Sequence, residues 1–270
     1  MNILDRIVEH KRKEVEQKKM LYPIKLLEQS KFFASDCVSL KKYLVNPEKS
    51  GVIAEIKLKS PSKGIINEFV DIEKLSIGYM QAGASALSVL TDQEFFMGKN
   101  ENLSIARKFN YCPILRKDFI INEYQIIEAK SIGADAILLI AAILSKEEIQ
   151  SFTALAHAHK MEVLFEVHHE SELDKLDDTI DLLGVNNRNL ENFEVDIRTS
   201  EAIAQKVQGD FTFVSESGIS DVESIHHLRK CGFDGFLIGE HFMRHPSPHL
   251  ACADFIKQLK KRNEGESVRA

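Results

Sequence analysis

The sequence predicts a closed (β/α)8 barrel preceded by a helical N-terminal extension. Three observations predict it. Short apolar runs rich in β-branched residues alternate with amphipathic stretches from Val52 onward. An internal repeat recurs: Gly83-Ala-Ser-Ala-Leu-Ser-Val-Leu resembles Gly133-Ala-Asp-Ala-Ile-Leu-Leu-Ile and Gly232-Phe-Asp-Gly-Phe-Leu-Ile-Gly. Its period is about 50 residues, the length of two βα units, so four periods give eight strands. Finally, 270 residues suit one α/β barrel better than two small domains.

The first 48 or so residues are rich in charge. Ile3, Ile7, Val8 and Val15 fall at roughly helical spacing, and Asp5 with the lysines that follow suits an exposed helix. A second short helix is expected over Leu40–Val45. The strand candidates follow in order: Val52–Leu58, Ala86–Leu90, Pro113–Arg116, Ala136–Ile140, Glu162–Val167, Leu182–Val185, Phe211–Ser215 and Gly235–Ile238. Apolar runs without polar alternation indicate strands covered on both faces. The repeat glycine suits a helix C-cap that turns the chain into the next strand. A doubly wound open sheet is the competing fold, but Lys59-Ser-Pro-Ser-Lys-Gly64 does not supply the Gly-rich loop it would need after its first strand. The barrel domain with its extension is expected to span residues 1–262, and the polar segment 263–270 to fray.

Composition excludes several classes. The net charge is −6, so a broad basic face for nucleic acid is not expected. No signal peptide or membrane-spanning run is found. The four cysteines show neither a CxxC pair nor zinc-ligand spacing with a histidine, and they read as free thiols of a cytoplasmic protein. The histidines suggest no metal site, and no obligate protein partner is evident.

The chemistry is expected at the C-terminal ends of the strands. Glu55 and Lys57 alternate with Ala54 and Ile56, so both point to one face of strand 1. Lys117 ends strand 3, Glu166 ends strand 5, and Asn186 and Arg188 follow strand 6. Burying so many charges at one end is costly unless function retains them. Ser215-Glu-Ser-Gly-Ile-Ser220 and Ile238-Gly-Glu-His241 follow strands 7 and 8. Small residues there let backbone N–H groups approach a phosphate, with the positive ends of the following helices behind them.

At these residues the chain resembles the indole-3-glycerol-phosphate synthase family. The carrying segments are Val52-Ile-Ala-Glu-Ile-Lys-Leu-Lys-Ser-Pro-Ser62, Leu87-Ser-Val-Leu-Thr-Asp92, Ile114-Leu-Arg-Lys-Asp-Phe119, Gly184-Val-Asn-Asn-Arg-Asn-Leu190, Ser215-Glu-Ser-Gly-Ile219 and Phe236-Leu-Ile-Gly-Glu240. Small variations fall at Leu58, Asn187, Asn189 and Glu240. The resemblance implies a carboxy-lyase that closes an indole ring on a phosphorylated substrate with loss of CO2 and water, without a cofactor. It implies Lys117 as general acid, its pKa lowered by flanking cations. Glu166 would be the base, and Lys57 the second acid or the partner of the substrate carboxylate. Glu55 would orient the lysines. Asn186 would hold polar substrate groups, and Arg188 would act as a fixed cation for the substrate carboxylate or for Glu55. Ser60, Ser217, Gly218, Leu237, Gly239 and Glu240 would line the site, Glu240 through its backbone only. Phe95, Phe96 and Phe119 are candidates to pack on the anthranilate ring. Pro61 and Gly64 suit a hinged lid. The rival enzymes are other phosphate-binding barrels, phosphoribosylanthranilate isomerase and the tryptophan synthase α subunit. The first would pair a cysteine with an aspartate, where this chain carries Glu55 and Lys57. A non-catalytic barrel would lose Lys57, Lys117 and Glu166, and all three are present.

Overall fold

The computed structural model describes residues 3–190 and 192–267, with side chains up to residue 262. Eight parallel strands close into a barrel: β1 (Val52–Ile56), β2 (Ala86–Leu90), β3 (Ile114–Lys117), β4 (Ala136–Ile140), β5 (Glu162–Val167), β6 (Leu182–Asn186), β7 (Thr212–Glu216) and β8 (Phe233–Ile238). Each pairs with its neighbours in sequence, and β8 closes on β1 with Val52 opposite Phe236. The eight expected strands are present, with ends shifted by up to two residues. Lys57 and Leu58 lie beyond β1, and an irregularity between Phe233 and Gly235 starts β8 early.

The repeat glycines do what their positions require. Gly83, Gly133 and Gly232 have φ of 98°, 97° and 93°, a left-handed turn that other residues rarely make. The polar residue two places on then ties down a neighbouring element. Ser85 Oγ accepts the Gly51 N–H at 2.9 Å, and Asp135 accepts the Ile114 and Val38 N–H groups at 2.7 and 2.8 Å.

Strand alternation splits the core into two layers. Residues such as Val52, Ala54, Ile56, Val163 and Phe165 pack outward under the helices. Ile53, Ala86, Leu115, Ala136, Leu138, Leu164, Leu182, Val214 and Leu237 fill the barrel. The N-terminal extension touches both ends of this inner layer. Helix Leu40–Leu44 drives Leu40 and Leu44 into the inner core, at the N-terminal end of the strands. A methyl group added at Gly235 would sit 2.8 Å from Leu44 Cδ1, so this glycine makes room for the plug.

Helix Ile3–Leu21 borders the opposite, C-terminal mouth with Ile3, Leu4 and Ile7. It is not the exposed helix its charges suggest. Lys11 is fully buried, held 2.8 Å from Asp92, 3.0 Å from Asp118 and 2.8 Å from Glu14. Asp118 also meets Arg116, whose guanidinium is 2.5 Å from Glu128. An unpaired charge in this layer would be costly, and these groups persist by pairing with one another. The final helix runs Pro248–Ser267; residues 268–270, the end of the segment expected to fray, lie outside the described residues. Among the described residues no helix is long and apolar enough to cross a membrane.

Candidate active site

Glu55, Lys57, Lys117, Glu166, Asn186 and Glu216 all sit at the same end of their strands and project inward, continuing the rows begun by Ile53, Leu115, Leu164 and Val214. They line a cavity of about 470 Å³ at the barrel mouth. Ser60, Phe119, Arg188, Ser217, Gly218, Leu237, Gly239 and Glu240 line it too. So do Phe96 and Phe119, whose ring centroids are 5.9 Å apart. Phe95 does not join them: it packs edge-on against His10 of the N-terminal helix, at 5.8 Å.

The centre of the site is a charge cluster. The Lys117 ammonium lies 2.6 Å from Glu166 and 2.9 Å from Glu216. Burial works to lower the Lys117 pKa, but Glu166, Glu216 and Glu55 outweigh it and raise it above the ordinary lysine value. This corrects the expectation of flanking cations: the neighbours of Lys117 are carboxylates, and it keeps its proton firmly. Burial pushes the two carboxyls up as well, but they part company. The Lys117 charge outweighs burial and brings Glu166 down to about 2. Burial, reinforced by the neighbouring Glu166 charge, takes Glu216 up to about 8. Glu216 is therefore the protonated member of the two. A methyl at Gly184 would stand 2.6 Å from Glu216 Oε1, so that glycine is the space the carboxyl occupies.

A second ion pair sits at the end of β1, where Lys57, just past the strand, is 2.6 Å from Glu55. Gly239 leaves room for that carboxylate: any side chain there would strike Glu55. Arg188 does not reach Glu55. Its guanidinium meets Glu240 at 3.3 Å and the Phe193 carbonyl at 3.2 Å. The Glu240 side chain thus bridges Arg188 and Arg244, the latter at 2.7 Å. Ser60 lies on a two-residue hairpin, Lys59–Ser60 against Gly64–Ile65, which folds the loop after β1 beside the mouth.

The loops after β7 and β8 form a cradle of small residues. Ser217 and Gly218 adopt φ of 68° and 80°, and the Ser217 carbonyl accepts from Asn187 Nδ2 at 3.0 Å. Ser215, by contrast, points outward and hydrogen-bonds Asn187 and Ser200. The helix after β8 is a single turn, Glu240–Met243, so backbone N–H groups, more than a helix dipole, are what this loop offers an anion.

Sequence reasoning missed Glu216, His168 and Lys11. Glu216 was absorbed into a run of small residues, although alternation from Val214 puts it inside. His168, 3.4 Å from Glu166, is buried, and burial lowers its pKa and keeps it neutral.

Comparisons with known proteins give the family. The family model for indole-3-glycerol phosphate synthase matches residues 4–255. A protein of that name from Bacteroides thetaiotaomicron is 44% identical over 259 residues, 96% of this chain and 99% of its own. Another from a Thermoanaerobacter species is 42% identical over 260 residues, covering 96% of this chain and 98% of its own. Among solved structures, a chain of the tryptophan synthase a2b2 complex of Pyrococcus furiosus superposes with a TM-score of 0.58 at 14% identity, covering 79% of this chain and 99% of that one; this likeness is one of fold.

Proposed function

This chain belongs to the indole-3-glycerol phosphate synthase family, and on that premise we propose how its barrel mouth performs the reaction. Family membership makes it a carbon–carbon lyase of tryptophan biosynthesis that acts on a phosphorylated small molecule. The substrate is 1-(2-carboxyphenylamino)-1-deoxyribulose 5-phosphate. Its ring attacks the ribulose carbonyl, CO2 leaves, and loss of water completes the indole of indole-3-glycerol phosphate.

The observation that carries the reading is the Lys117 ammonium held between Glu166 and Glu216 at the mouth. Attack on the carbonyl develops negative charge on its oxygen. Lys117, kept cationic by the carboxylates, meets that oxygen with charge and a proton. Dehydration then needs a base to remove a ring proton and an acid to release hydroxide. Ionised Glu166 is the base. Lys57, steered by Glu55, is the second acid, and neutral Glu216 is a further donor. The strong pull of ionised Glu166 on Lys117 means that substrate must displace part of this ion pairing for the proton to move.

The phosphate rests in the cradle of Ser217, Gly218, Leu237, Gly239 and Glu240, where small side chains expose backbone N–H groups. Asn186, Ser60 and Arg188 hold the remaining polar groups, and Phe96 and Phe119 flank the aromatic ring. We assign the enzyme to the cytoplasm, where its four free cysteines stay reduced.

The test is a fluorescence assay with the carboxyphenylamino-deoxyribulose phosphate. The chain contains no tryptophan, so indole emission reports product directly. Growth of that signal is expected. Lys117→Ala should lower turnover more than about a hundredfold while the variant still binds the substrate; full turnover in the variant removes Lys117 from its role.

A further inference from the structure

On the outer wall of the barrel, away from the mouth, we propose a site for a zinc-type divalent ion formed by Glu201, His227 and Cys231. Among the described residues these three bring one ligand atom each to within 4.8 Å of one another. His227 Nε2 is 3.3 Å from a Glu201 carboxylate oxygen and 4.0 Å from Cys231 Sγ. Bonds of about 2.0–2.3 Å to a tetrahedral ion set ligand atoms roughly 3.3–3.7 Å apart. The Glu201–His227 spacing already meets that, and the thiol, 4.0 Å from the imidazole, has to move inward to complete the set.

Two helices create the arrangement. His227 stands in the last turn of helix Val222–Lys230, and Cys231 is its C-cap. Four residues apart, they share one face of the helix. Glu201 comes from helix Arg198–Ala204, 26 residues earlier in the chain, which is why no ligand spacing shows in the sequence. The carbonyl end of the 222–230 helix adds partial negative charge where a cation would sit. The donors are a sulfur, an imidazole nitrogen and a carboxylate oxygen. That mixture selects a borderline ion such as zinc over magnesium or calcium, which favour oxygen alone. The thiol binds as thiolate and gives its proton to solvent, and water takes the fourth position.

None of the three residues lines the mouth. The bound ion would clip together the two helices that follow β6 and β7, the strands ending in Asn186 and Glu216. A bare Glu201–His227 hydrogen bond makes no use of the thiol and predicts no metal binding.

The test uses the full-length, metal-stripped chain titrated with Co2+. One equivalent should produce thiolate-to-cobalt charge transfer in the near ultraviolet together with tetrahedral bands in the visible, both abolished by added Zn2+. Cys231→Ser should remove the charge-transfer band. His227→Ala and Glu201→Gln should each weaken cobalt binding by more than about tenfold. Lyase turnover should be unchanged in all three, which also shows that each variant is folded. Absence of the band in the wild type, or its survival in Cys231→Ser, overturns the proposal.

Discussion

Lys117 and Glu216 exchange the protonation behaviour that their positions at a barrel mouth would suggest. The lysine, wrapped in carboxylates, holds its proton, and the buried glutamic acid is the group that titrates near neutrality, at about 8. The folded pKa of Glu216 lies above its ordinary 4.5, so its contribution to stability is complete below that value and is lost as pH rises through about 8. Glu166, drawn down to about 2, behaves oppositely: its contribution is present above 4.5 and is lost as pH falls toward 2. We expect kcat/KM to fall above pH about 8, and Glu216→Gln to abolish that limb, as read from pH–rate profiles. An alkaline limb unchanged in Glu216→Gln would assign it to another group. Most of this constellation is legible in the sequence, because charges that end apolar runs are costly to bury unless they are used or paired. Glu216 is hidden by the small residues around it. Arg116 and Asp118 carry the same signal as Lys117, yet they serve the wall of the barrel, since alternation turns Arg116 outward.

The N-terminal helix is an element whose sequence conceals its role. Ile7, Lys11 and Val15 follow each other at intervals of four, and all three are buried. The apolar pair is readable as a buried stripe, and the lysine between them is the signal that the stripe meets acid. Asp92 and Asp118 lie across from it, at the ends of β2 and β3, and Asp118 adjoins Lys117. Lys11→Met leaves buried Asp92 without its cation, while Asp118 keeps Arg116. Such losses cost about 3–5 kcal/mol, and urea unfolding should show a lowered midpoint with a similar slope. A midpoint within error of the wild type would mean that water reaches these carboxylates. The hairpin after β1 and the single turn after β8 were less readable, because two- and four-residue elements are too short to carry a period.

At the scale of the whole molecule, the repeat of about 50 residues made the closed barrel readable from three glycines. It could not reveal that the extension seals one end and borders the other, since hydrophobic spacing tells which residues are buried but not against which layer. Leu40, with no exposed surface, is the plug that makes the difference. Leu40→Ala should cost about 2–5 kcal/mol, as a cavity among packed core residues does, read as a drop in the melting temperature; an unchanged melting temperature would show that the inner layer closes without the plug. The plug also imposes an order on biosynthesis. Leu40 and Leu44 leave the ribosome before any barrel strand, yet the inner layer they join includes Val214 and Leu237, roughly 170–200 residues later in translation. These two leucines are thus among the first core residues made and among the last to find shelter. For most of its synthesis the nascent chain carries an apolar segment near its leading end whose cover is completed only when the final strands close the barrel.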